Sequence, residues 1–149
     1  MKCDDPTILS FNNKDLIEIP RNILYLNQLN LLSLNGNHIR TLPDEFYKAF
    51  PQLTWLDLRC NELEFISRAV VNLSNLKNLL IGNNNIRRLC IELGGVKSLT
   101  GLNIGGNPIE FPSQDILLKD SCSIMRYFRE CYLRRLEIEK VLSGEVIKK

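Results

Sequence analysis

The segment Leu53-Thr54-Trp55-Leu56-Asp57-Leu58-Arg59-Cys60-Asn61-Glu62-Leu63-Glu64-Phe65-Ile66 decides how this 149-residue chain folds. Its recurring apolar positions are 53, 56, 58, 63 and 66, with an asparagine at 61. The same skeleton returns as Leu29, Leu32, Leu34, Asn37, Ile39 and Leu42; as Leu76, Leu79, Ile81, Asn84, Ile86 and Leu89; and as Leu99, Leu102, Ile104, Asn107 and Ile109. Successive asparagines stand 24, 23 and 23 residues apart. A period of this length marks a stacked repeat, whose units bury their apolar edges only against their neighbours.

Each residue type has a physical reason. Leu56 and Leu58 are two positions apart, so on a short strand both point inward while Asp57 points to the opposite face. The asparagine falls where the chain turns out of the strand. Its amide both donates and accepts, and so can satisfy backbone groups that the turn exposes. Stacking therefore predicts a ladder of buried asparagines, Asn37, Asn61, Asn84 and Asn107, beside parallel strands about 4.8 Å apart.

A degenerate copy precedes the four. Leu9, Phe11, Leu16 and Ile19-Pro20 align with Leu32, Leu34, Ile39 and Leu42-Pro43, and Lys14 takes the asparagine slot. In the second half of each repeat, Ile23/Leu26, Phe46/Phe50, Val70/Leu73 and Leu93/Val96 recur, with one residue inserted before Phe50. These pairs are expected to face the core from the convex side. The repeats break at Pro112. Beyond it, Ser121 to about Leu142 holds no Pro or Gly, and Met125, Phe128, Tyr132 and Leu136 share one helical face. Ser113 and Ser121 are candidate N-caps. The helix is expected to cover the open edge of the last repeat; alternatively its distal part, Leu133 to Leu142, offers Arg134, Arg135 and Lys140 to a partner.

The expected fold is α/β: a solenoid of about five short parallel strands on a concave face, an irregular or helical convex side and a C-terminal capping helix. Residues 1–112 form the repeats (8–28 degenerate, then 29–52, 53–75, 76–98 and 99–112), and 113–149 form the cap and a basic tail. Before the first strand stand only Met1 to Thr7, so either the degenerate repeat is its own cap or residues are missing.

The pattern from Leu29 to Ile109 resembles the intracellular, roughly 23-residue class of leucine-rich-repeat proteins. Phe50-Pro51-Gln52-Leu53-Thr54-Trp55-Leu56-Asp57-Leu58-Arg59, Ile91-Glu92-Leu93-Gly94-Gly95-Val96 and Asn107-Pro108-Ile109-Glu110-Phe111-Pro112 are similar, more narrowly, to the N-terminal repeat domain of one vertebrate member of that class. The resemblance covers about residues 8–130. It implies a non-enzymatic interaction domain and leaves the partner unnamed. That relative continues into a long, charged, helix-rich tail, which is not expected here.

Composition narrows the function. The net charge of +2 implies no general pull toward nucleic acid or membrane. The stretch from Arg126 to Lys149 carries seven Lys/Arg and four Asp/Glu, a mildly basic tail. Cysteines at 3, 60, 90, 122 and 131 are odd in number and widely spaced, which fits neither a disulfide framework nor a zinc site. They read as small fillers or idle thiols. No secretory core opens the chain. A reduced, cytoplasmic protein is expected, monomeric and without metal or cofactor, with cytoskeletal or ciliary association a further option. His38, the only histidine, occupies a turn slot after a ladder asparagine, which nearly excludes His-dependent nucleophilic catalysis. Gly94-Gly95-Val96-Lys97-Ser98 lacks the spacing of a phosphate loop. No active site is expected.

The concave face holds what the fold itself does not require. Repeat by repeat it presents Ile8, Ser10 and Asn12; Leu31, Ser33 and Asn35; Trp55, Asp57 and Arg59; Asn78, Leu80 and Gly82; and Gly101, Asn103 and Gly105. Trp and Arg are the residue types that most often anchor interfaces. Leu31 and Leu80 are expected to extend Trp55 into an apolar stripe, with Asp57 and Arg59 supplying charge, either toward a partner or to each other. Leu31, Ser33, Asn35, Trp55, Asp57, Arg59, Asn78, Leu80 and Asn103 are thus the expected contacts of a protein partner. The module is read as an adaptor or scaffold, or alternatively as a regulatory or substrate-recognition component of an enzyme assembly such as a ubiquitin ligase or phosphatase.

Overall fold

Inward leucines of the repeats place their short strands side by side. In the computed structural model, which describes residues 5–144, five three-residue strands form one parallel sheet in chain order. They are β1 (Ile8–Ser10), β2 (Leu31–Ser33), β3 (Trp55–Asp57), β4 (Asn78–Leu80) and β5 (Gly101–Asn103). Cys3 and the last two lysines of the basic tail lie outside the described residues. The register follows the repeat: Leu9, Leu32, Leu56, Leu79 and Leu102 are aligned in one row. The ladder runs on past the strands, as in Leu34 N–H to Asp57 O (2.8 Å) and Leu58 N–H to Leu80 O (2.7 Å).

The asparagines act one repeat backward. Asn61 Nδ2 donates to Leu58 O in its own repeat (3.1 Å) and to Leu34 O in the preceding one (2.9 Å), while its Oδ1 accepts from Ile39 N–H (3.1 Å). Asn84 repeats this on Ile81, Leu58 and Leu63. Asn37 does the same for the degenerate repeat, accepting from Lys14 and Leu16 N–H and donating to Phe11 O. Each asparagine staples the repeat before it, so the first repeat, with Lys14 in the slot, is served by Asn37.

On the convex side three repeats carry 3₁₀ helices: η1 (Arg21–Tyr25), η2 (Arg68–Asn72) and η3 (Ile91–Gly95). The repeat with the inserted residue has instead the α-helix α1 (Asp44–Ala49). The wider α turn accommodates the extra residue. Acidic Asp44 and Glu45 open α1 and basic Lys48 ends it, matching the helix dipole. Phe46, Phe50, Val70, Leu73, Leu93 and Val96 are buried as the convex pairs require. Leu26 is not: it is 44% exposed at the outer side of the first repeat, where no described repeat packs against it.

After α2 (Gln114–Leu117) comes α3 (Ser121–Leu142). Its N-cap is Asp120, whose carboxylate accepts from Ser123 N–H, and not Ser121; the Ser121 hydroxyl donates to Leu102 O at 3.3 Å. Ile124, Met125 and Phe128 are fully inside. Arg129 Nη2 donates to Leu99 O (2.9 Å) and Lys97 O (3.2 Å). The helix thus covers the last repeat with both apolar side chains and donors for open carbonyls. Gly94 and Gly95 are what let it come close. A Cβ on Gly94 would collide with the Phe128 carbonyl, and one on Gly95 with the Tyr132 ring. Among the described residues no helix is long and apolar enough to cross a membrane.

Candidate protein-binding site

Because side chains alternate along a strand, the first and third residues of each strand share the face opposite the core. One row is Ile8, Leu31, Trp55, Asn78 and Gly101; the next is Ser10, Ser33, Asp57, Leu80 and Asn103. Trp55 stands on the central strand and is 38% exposed. Its register partners are Leu31 and Asn78. Leu80 lies in the other row, opposite Asp57. The apolar stripe therefore runs from Ile8 through Leu31 to Trp55 and stops there, rather than spanning Leu31 to Leu80.

Beyond Trp55 the floor turns polar and flat. Asn78 lays its side-chain oxygen where a Cβ on Gly101 would be, and Asn103 does the same over Gly82. The two glycines leave room for amides to lie across the sheet. This juxtaposition was not legible in either repeat alone, because it couples residues of adjacent strands.

Two expected contacts are occupied within the fold. Asp57 is 5% exposed. Its Oδ1 accepts from Arg59 N–H (3.1 Å) and Nε (3.0 Å), and its Oδ2 from Nη2 (2.8 Å). This bidentate pair holds the Arg59 guanidinium over the sheet and raises its pKa, chiefly through the hydrogen bonds and then the charge of Asp57. Asp57 is thereby a positioning group and not a surface charge. Ser33 is also buried and donates to Asn12 Oδ1 (2.6 Å), which accepts Asn35 N–H as well (2.8 Å). Leu31, Asn35, Trp55, Arg59, Asn78, Leu80 and Asn103 keep accessible surface.

Elsewhere the chemistry is sparse. His38 is exposed between Asp15 (3.5 Å) and Glu62 (3.9 Å). Cys60 and Cys122 are exposed, so neither fills the core. Cys90 is partly buried, and burial, aided by the Glu92 charge, pushes its thiol up to about 11. Among the described residues no group of three His, Cys, Asp or Glu side chains is placed to hold a metal. Arg135, which the sequence offered to a partner, is bound to the buried Glu92 of η3 and approaches Glu139 at 3.5 Å. It belongs to the docked cap.

The family model described as "Leucine rich repeat" matches residues 27–86 and 51–109. The plant intracellular Ras-group-related LRR protein 4 of Oryza sativa subsp. japonica is 31% identical over 78 residues, covering 52% of this chain and 14% of that protein. This chain spans 10–15% of the curated relatives it matches. Among solved structures, the BIR3–SERK2 complex from Arabidopsis thaliana is similar at 27% identity and a TM-score of 0.62, over 68% of this chain and 56% of that one. The plant peptide hormone receptor RGFR1 in complex with RGF2 is similar at 32% identity and a TM-score of 0.56, over 62% and 15%. With overlapping matches across more than half its length, the chain belongs to the leucine-rich-repeat family, a fold typically used for protein–protein interaction rather than catalysis.

Proposed function

We propose that this chain is a non-catalytic interaction module, an adaptor or scaffold that seats a peptide or helix of a protein partner on the concave strands. The observation that carries the reading is Trp55, a large apolar side chain left 38% exposed at the centre of the sheet beside Leu31 and a fixed Arg59. Aromatic and arginine anchors near the middle of a patch supply most of the energy of typical interfaces. That two similar solved structures carry the description of complexes supports it further. The proposed contacts are Leu31, Asn35, Trp55, Arg59, Asn78, Leu80 and Asn103, with Ser33 and Asp57 supporting them from beneath.

The same proposal takes the chain as a cytoplasmic monomer, with residues 1–112 as repeats and 113–149 as cap and tail. It also takes the chain as kin to the N-terminal repeat domain of the vertebrate leucine-rich repeat containing protein twenty-seven. Proximity labelling in cells, with wild type against the Trp55→Ala, Arg59→Ala double variant, tests the face. Loss of a discrete set of proteins supports it, and an unchanged partner list sinks it. Selective loss of ubiquitin-ligase or phosphatase subunits would assign the module to an enzyme assembly.

A further inference from the structure

One concavity of the described residues lies away from the concave sheet. It is a lateral furrow of about 680 Å³ between the turn row Phe65–Arg88–Phe111 and the convex elements η2 and η3. Three guanidiniums converge on it. Arg135 is tied to Glu92, a carboxylate only 5% exposed. Arg68, whose side chain is 80% exposed, approaches the same carboxylate with Nε at 3.5 Å. Arg88 lies over the Phe111 ring, 5.0 Å from its centre, and among the described residues no carboxylate comes within ion-pairing distance of it. Stacking on a ring face holds a guanidinium plane while leaving its N–H edge outward.

We infer that this furrow binds an acidic peptide segment carrying a hydrophobic residue. Glu92 is spent on Arg135 and fixes that side of the furrow, so Arg68 and Arg88 remain to take carboxylates through paired N–H donors. Arg88 is already restrained by its stacking on Phe111, which lowers the ordering cost of binding. Phe65, 47% exposed on the wall, offers the apolar contact. The basic character is not imposed by the fold. The corresponding furrow at the first repeats carries Glu18 and Glu45 against the single Arg21. Three guanidiniums against the carboxylates of Asp44 and Glu92 leave a local balance of +1, which suits a segment bringing one or two carboxylates and not the dense charge of a polyphosphate chain.

The test uses the full chain, ¹⁵N-labelled, titrated with a fluorescein-labelled peptide of alternating glutamate and phenylalanine. Controls are the lysine–phenylalanine counterpart and a single-stranded uridine oligonucleotide. Expected are amide shifts confined to Phe65–Ala69 and Arg88–Glu92, weakening by added salt, and about tenfold loss of affinity in Arg68→Ala or Arg88→Ala. Both arginines are exposed, so these variants should fold; Trp55→Ala should bind as wild type, which separates this furrow from the concave face. Equal binding of the lysine peptide, tighter binding of the oligonucleotide, shifts on the concave strands, or indifference to both arginine variants would each overturn the inference.

Discussion

Asn61, like Asn84 beside it, is a residue on which four backbone groups depend. It is buried, and its amide serves three carbonyls and one N–H drawn from two repeats. Asn61→Ala should therefore cost about 1–3 kcal/mol in urea unfolding, because the freed groups stay buried. Leu34 O and Ile39 N–H belong to the preceding repeat, so hydrogen exchange should quicken there as well as locally. Cys60 is the opposite case. It stands in the left-handed slot before the ladder asparagine, at φ 55°, where the other repeats place Asn13, Gly36, Asn83 and Gly106. Asparagine and glycine suit that conformation and cysteine does not. Cys60→Gly should raise stability by about 0.5–1 kcal/mol in thermal or urea denaturation, relief of strain exceeding the added freedom of the unfolded chain. Thiol chemistry separates the cysteines too. The thiolate is the reactive form, and a thiol at about 11 holds little of it at neutral pH. Iodoacetamide at pH 7.5 should label Cys60 and Cys122 well before Cys90, as read by peptide mass spectrometry; Cys90 should catch up only as the pH rises toward its own value.

At the scale of elements, the docking of α3 on η3 turns on Gly94. A methyl group there meets backbone, the carbonyl of Phe128, which cannot swing aside as a side chain would. Gly94→Ala should cost about 3 kcal/mol or more, with α3 losing hydrogen-exchange protection and gaining trypsin cleavage near Arg126 and Arg129. The repeats should keep their ladder hydrogen bonds. A fall in exchange protection spread evenly over β1 to β5 would instead mean that cap and repeats unfold as one. Sequence alone gave reason to dismiss Gly94-Gly95 as a phosphate loop. It gave no reason to see a seat for a helix, because the partner carbonyl lies 34 positions away in the chain.

For the whole molecule, stability and recognition draw on different faces. The core row Leu9–Leu32–Leu56–Leu79–Leu102 and the convex pairs face inward, while Trp55 and the furrow arginines take no part in that core. Trp55→Ala and Arg88→Ala should thus leave the unfolding midpoint within about 0.5 kcal/mol of wild type, whereas Asn61→Ala should not. A Trp55→Ala variant that melts as early as Asn61→Ala would make the tryptophan a structural residue and remove the ground for a binding face.

The amino-acid sequence determined by itself the period, the strand positions, the side of the sheet each residue takes and the helix Ser121–Leu142, because all of these follow from spacings within one repeat or one helical face. Only the tertiary structure decided what adjacent repeats do to one another: that Trp55 meets Asn78 and not Leu80, that Asp57 is spent on Arg59, that each asparagine serves its predecessor, and that Arg68, Arg88 and Arg135 share one furrow. Those relations join side chains one or more repeats apart, or depend on rotamers that period cannot fix. Stacking brings them together, and a linear pattern holds no record of which groups the stack will pair.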